Sequence, residues 1–139
     1  MADPTPLEQI RDAYAQWHES KAGSIDVFLK LLAPHFKMRS VLGNQIPDPL
    51  ALDRKGIDQA REYLDLLTRD WEMIEMPTEQ VLSDGDTVVW IGRCQWRNRA
   101  TGDEVKCPKV DVWRFAEGKA VQFLEMFDSL GFAKAARLA

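Results

Sequence analysis

Apolar residues that recur at helical spacing up to about Thr68, and at strand spacing from Trp71 onward, predict an α+β domain with helices packed on one face of an antiparallel sheet. Three short turn signals, SDGDT, NRATGD and AEGK, separate the later runs rich in Val, Trp, Ile and Phe, as in a meander of consecutive hairpins. The chain has 139 residues, 45% hydrophobic and 29% charged, so residues 1–139 are read as one domain with one core. A chain of this size buries roughly 68–70% of its unfolded surface, enough for a core with an internal cavity and no disulfide or metal staple.

The elements follow in order. Thr5 or Asp3 caps a first helix whose stripe is Leu7, Ile10, Tyr14 and Trp17. Gly23 breaks it, Ser24 is a cap, and Ile25, Phe28, Leu29 and Leu32 give a second helix ending before Pro34. His35 to Leu42 reads as a short strand, GNQIPDPLALDR as a long loop, and Gly56 to Thr68 as a third amphipathic helix through Ile57, Ala60, Tyr63, Leu64 and Leu67. Strands are expected at roughly 71–83, 87–98, 104–115 and 120–128, with a tail helix from Gly131 to Leu138. A twisted sheet wrapped over helices leaves a gap between them.

Charge narrows the partners. Lys and Arg number 18 against 22 Asp and Glu, a formal net charge of −4, which argues against nucleic acid and anionic membrane because both need a clustered positive field. The opening residues MADPTPLEQ lack the basic and apolar regions of a secretion signal, so a cytoplasmic location with two reduced cysteines is expected. Cys94 and Cys107 show no Cys-x-x-Cys or Cys/His spacing, and His18 and His35 belong to no metal-spaced cluster, so no metal and no cofactor is implied.

The order helix, helix, strand, loop, helix and meander, ending in KVDVWRFAEGKAVQFLEMFDSLGFA, resembles the nuclear transport factor 2-like superfamily over nearly the whole chain. The strand carrying Asp111 and Phe115, the Gly118-Lys119 turn and the final Glu125-Met126-Phe127-Asp128 resemble its SnoaL-like branch. That resemblance implies a cone-shaped, cystatin-like fold, with three N-terminal helices on a curved antiparallel sheet. The branch mixes isomerases, polyketide cyclases, epoxide hydrolases and dehydratases, so the fold does not select a reaction. By similarity to ketosteroid isomerases, Asp111 and Tyr14 fall where that family holds an aspartic acid and a tyrosine beside a developing enolate oxygen. Ser40 stands where it places a carboxylate base. By similarity to limonene epoxide hydrolases, Glu125 takes the place of a catalytic carboxylate, while Gly92 and Cys94 replace that family's Arg-x-Asp pair. Asp128 resembles a polyketide cyclase position near the pocket mouth.

With Cys94 and Asp111 facing the cavity, as these similarities imply, a hairpin register that sets Trp90 opposite Asp111 also sets Cys94 opposite Cys107. Trp90, Gly92, Cys94, Trp96, Cys107, Asp111 and Trp113 then face inward. Val89, Ile91, Arg93, Gln95, Arg97, Val112 and Arg114 face outward, a mixed surface that suits a homodimer. Asp111 among tryptophans is desolvated, and Glu125 on the next strand raises the proton affinity of the pair further. The expected catalytic group is therefore Asp111 and Tyr14 polarising an oxygen with Glu125 moving a proton. The other reading keeps these acids as structural groups bonded to backbone, Tyr14 or tryptophans. The expected substrate-binding residues are Trp17, Met38, Ser40, Trp90, Cys94, Trp96, Trp113, Phe123, Phe127 and Asp128. The aromatics among them serve a flat ligand or simply the core, and Asp128 is a pocket acid or a helix cap. The expected function is acid/base proton transfer next to a carbonyl of a small apolar substrate, as in an isomerase, cyclase or dehydratase. The alternative is a non-catalytic ligand-binding or dimerisation module.

Overall fold

The computed structural model describes residues 3–139. Its elements run α1 (Pro6–Glu19), α2 (Ile25–Leu29), β1 (Leu32–Ser40), a 3-10 turn (Pro49–Ala51), β2 (Arg54–Lys55) and α3 (Gly56–Asp70). The sheet-forming half then adds β3 (Trp71–Glu75), β4 (Thr78–Asp84), β5 (Thr87–Asn98), β6 (Glu104–Ala116) and β7 (Lys119–Met126), and α4 (Ser129–Ala135) closes the chain.

Local chemistry starts α1 where expected. Thr5 Oγ1 accepts from the Glu8 backbone N–H, and Glu8 Oε1 accepts from the Thr5 N–H, each at 3.1 Å, so two orphan donors of the first turn are satisfied. Ile10, Ala13, Tyr14 and Trp17 form its buried stripe, and full burial of a side chain such as Ile10 contributes about 1.5–3 kcal/mol. The second helix stops at Leu29 rather than continuing to Leu32, because Leu32 pairs with Ala120 on β7 and draws the chain into β1. Pro34 thus lies inside a strand. It is tolerated because the β1–β7 register shifts between Leu32 and Lys37, where no regular ladder bond is required of it.

The strands order as β2-β1-β7-β6-β5-β3, with β4 also pairing to β5. Neighbours are antiparallel, as expected of the meander, except β1 and β7, which run parallel. The β5–β6 hairpin carries the expected register, with Trp90 opposite Asp111 and Cys94 opposite Cys107. Register shifts in β3, β4, β6 and β7 bend the sheet around the helices.

The single strand expected over 71–83 is two, β3 and β4, both on the same edge of β5. Pro77 supplies no N–H to a ladder, and the chain bulges there. The break is held from both sides: the Met76 N–H donates to His18 Nδ1 at 2.9 Å, and the Pro77 carbonyl accepts from the Arg93 N–H at 3.3 Å. Gly92 makes room for it, since a Cβ there would sit 2.3 Å from the Pro77 oxygen and 2.5 Å from the Trp90 ring. The core fills the space between α1, α3 and the concave sheet face, where the site lies.

Candidate active site

A cavity of about 110 Å³ lies between the helices and the concave sheet face. That is of the order of the ~150 Å³ apolar cavity known to take up benzene. Its walls are aromatic and aliphatic, and its charged groups come from adjoining positions of β6 and β7. Asp111 and Glu125 are directly paired across these strands, and both are buried. Lys109, two residues before Asp111 and so on the same face, places its Nζ 2.5 Å from Asp111 Oδ1 and 3.4 Å from Glu125 Oε2. Each carboxylate also accepts from a tyrosine, Asp111 Oδ2 from the Tyr14 hydroxyl of α1 and Glu125 Oε1 from the Tyr63 hydroxyl of α3 at 2.6 Å. Trp113 Nε1–H donates to the Tyr14 oxygen at 3.0 Å. The result is a chain from Tyr14 through Asp111, Lys109 and Glu125 to Tyr63, tying two helices to two strands.

Burial dominates the electrostatics. The Asp111 carboxyl is raised above its ordinary range by burial, with Glu125 adding to the rise and Lys109 and Tyr14 opposing it. Burial alone would draw a proton off Lys109, but the carboxylates of Asp111 and Glu125 outweigh it and hold the ammonium charged. Tyr14 and Tyr63 are both pushed well upward, by burial first and then by Asp111 and Glu125 respectively, so both are neutral donors. The site therefore combines a carboxyl poised toward protonation, a fixed cation and two neutral hydroxyls in an apolar hollow.

The model of the SnoaL-like domain matches residues 10–123. This chain belongs to the SnoaL-like domain family. Solved structures carry the same fold. One is a nuclear transport factor 2-like protein from Burkholderia thailandensis, 26% identical, covering 96% of this chain and 98% of that one with a TM-score of 0.81. Another, of unknown function from Burkholderia pseudomallei, is 22% identical over 93% and 95% of the two chains, TM-score 0.80. TerC, co-crystallised with polyporic acid, is 20% identical over 96% and 99%, TM-score 0.77. No curated protein is matched by the sequence. These likenesses bear on the fold, and the residues of this SnoaL-like domain carry the chemistry.

The cavity walls include Tyr14, Trp17, Met38, Cys94 and Trp96 of the expected set. They also include Asp111, Trp113, Phe123, Glu125 and Phe127. Three expected contact residues lie off the cavity. Trp90 is wholly buried behind Tyr14, stacked on its ring at 4.3 Å, with Nε1–H donating to Thr78 Oγ1 at 2.8 Å, so it positions Tyr14 rather than a ligand. Ser40 Oγ accepts from the Leu42 N–H at 3.2 Å and steadies the turn after β1. Asp128 caps α4, its Oδ1 accepting from the Gly131 N–H at 2.8 Å, which replaces the pocket-acid reading.

Lys109 and Tyr63 were not expected in the site. Lys109 shares the alternation that turns Cys107 and Asp111 inward, so the signal lay in CPKVDVW. Tyr63 reads from sequence only as part of the buried stripe of α3. Cys94 and Cys107 are free and buried with their Sγ atoms 3.7 Å apart, and the Cys107 contact together with burial pushes the Cys94 thiol pKa up. Among the described residues no group of three or more His, Cys, Asp or Glu is placed to hold a metal ion, and no helix is long and apolar enough to cross a membrane.

Proposed function

We propose that this SnoaL-like domain binds a small apolar, carbonyl-bearing molecule and moves a proton next to its carbonyl, as an isomerase, cyclase or dehydratase does, with no cofactor in the reaction. The observation that carries the reading is the pair of directly opposed carboxylates, Asp111 and Glu125, facing one apolar cavity, with the Asp111 carboxyl raised by its surroundings. In the proposed chemistry Asp111 and Tyr14 polarise the substrate oxygen and Glu125 moves the proton. Trp17, Trp96, Trp113, Phe123, Phe127, Met38 and Cys94 enclose the substrate and keep water away. That TerC was co-crystallised with polyporic acid supports a small organic molecule as the kind of occupant. The free thiols support a reducing compartment, the cytoplasm. The half-buried Val89, Ile91, Val110, Val112 and Leu124 on the convex face support a homodimer through that face.

A second reading has its own support. The carboxylate oxygens of Asp111 and Glu125 all have a partner in Tyr14, Lys109 or Tyr63, as a purely structural network would, and this favours a non-catalytic binding module. The two part in one experiment. Ketones that raise the melting temperature of the protein are incubated with it in heavy water, and exchange of their α-hydrogens is followed by NMR. The catalytic reading expects exchange by the wild type, lost by roughly 10²–10⁴-fold in Glu125→Gln, the usual worth of a positioned acid/base. Stabilising ketones that bind without exchange leave only the binding module.

A further inference from the structure

We infer that Lys109 is the oxygen-holding group of the cavity, and that the occupant it selects is a flat phenol or enol bound as its anion; this deepens the acid/base reading above and rests on it. The starting observation is an unmet donor. An ammonium carries three N–H groups. One is given to Asp111 Oδ1 at 2.5 Å, and the approach to Glu125 Oε2 at 3.4 Å is an ion pair beyond the roughly 2.7–2.9 Å of a charge-assisted hydrogen bond. Among the described residues Nζ has no other hydrogen-bond acceptor. Around it are the rings of Phe123 and Phe127, with centroids 5.8 and 5.9 Å away. The hydroxyls of Tyr14 and Tyr63 are already committed to Asp111 and Glu125. A ligand oxygen set against Lys109 supplies the missing acceptor, and an oxygen that gains negative charge is held most strongly.

Charge sets the class of ligand. Two carboxyl groups, Asp111 and Glu125, face the single ammonium of Lys109, so a preformed anion would enter against acidic neighbours that outnumber the cation. A neutral phenol or enol does not. Its O–H bond breaks, the proton forms a new O–H bond on Asp111 Oδ2, and the ligand oxygen stays behind as an oxyanion beside Lys109, with the total charge unchanged. Asp111 then donates to the Tyr14 oxygen, which also accepts from Trp113 Nε1–H, and the proton of Tyr14 is freed to turn toward the same ligand oxygen. A flat ring suits walls built largely of aromatic side chains, among them Phe28, Trp113, Trp17 and Trp96.

The test uses 4-nitrophenol and nitrobenzene, which differ by the hydroxyl that Lys109 would hold, titrated into the full-length protein at a pH below the phenol's own pKa. The inference expects 4-nitrophenol to bind about ten- to a hundredfold more tightly than nitrobenzene, the worth of a hydrogen bond to a charged group, and to show the visible phenolate absorption once bound. Lys109→Met abolishes both the preference and the absorption, and Lys109→Arg retains part of each. Because Lys109→Met strands two carboxylates, Lys109→Met/Glu125→Gln gives the same readout with one of them neutralised and Asp111 still able to take the proton. Equal binding of the two probes, or phenolate absorption that survives in the Lys109→Met/Glu125→Gln protein, overturns the role of Lys109 and leaves the cavity reading intact. Binding of neither probe overturns both.

Discussion

At Lys109 two effects oppose each other: burial favours losing the proton, and the carboxylates of Asp111 and Glu125 favour keeping it and prevail. The folded state therefore binds this proton more tightly than the unfolded chain, whose lysine titrates near 10.5. The stability it contributes is fully present below 10.5 and is lost as pH rises through the raised folded value. Lys109→Met leaves two buried carboxylates without their cation, at a cost of roughly 3–5 kcal/mol at neutral pH. It also removes the alkaline decline that Lys109 gives the wild type. Urea unfolding of both proteins from neutral to strongly alkaline pH checks this, and equal neutral stability contradicts it. The residue escaped the sequence reading for a physical reason. Lysine is ordinarily solvated, and only Asp111, Glu125 and two aromatic rings from three-dimensional neighbours make its burial sustainable. Tyr14, Asp111 and Glu125 were legible, the tyrosine from its helical stripe and from family resemblance, the two acids from the family positions they resemble on the last two strands.

At the scale of elements, periodicity and turn signals marked the β5–β6 hairpin, and its register followed once family resemblance turned Cys94 and Asp111 inward, because a two-residue alternation fixes which residues share a face. The split between β3 and β4 left a local sign in Pro77, but holding both pieces on one edge of β5 depends on contacts from His18 and Arg93 to the Met76–Pro77 segment, and neither is local in sequence. The parallel pairing of β1 with β7, which shortened α2, is likewise a contact between distant segments that no local pattern announces. Gly92 is the point where this long-range arrangement leaves a local mark. Gly92→Ala would bring a Cβ to 2.3 Å from a backbone oxygen, which cannot swing away as a side-chain end would. The expected loss is about 1–3 kcal/mol, read by guanidinium unfolding. A variant as stable as the wild type would mean that the Pro77 crossing is not where it is described.

For the whole molecule, helices on one curved face leave the other face free. The convex side of β5, β6 and β7 alternates half-buried Val89, Ile91, Val112 and Leu124 with exposed Arg93 and Arg114. In the proposed homodimer, apolar area there would drive association and the arginines would orient it. Ile91→Glu, at the centre of that face and remote from the cavity, is expected to convert a dimer to a monomer in light scattering, with the fold unchanged by circular dichroism. A wild type that is already monomeric at high concentration removes the dimer proposal. The concave side carries the central claim, that burial beside Glu125 outweighs the pull of Lys109 and leaves Asp111 ready to take up a proton. The most direct measurement is a carbon-13 NMR titration of the Asp111 side-chain carboxyl in the intact protein. The account predicts a midpoint above the ordinary 3.8, and a midpoint below it, as in a simple solvated ion pair with lysine, would contradict it.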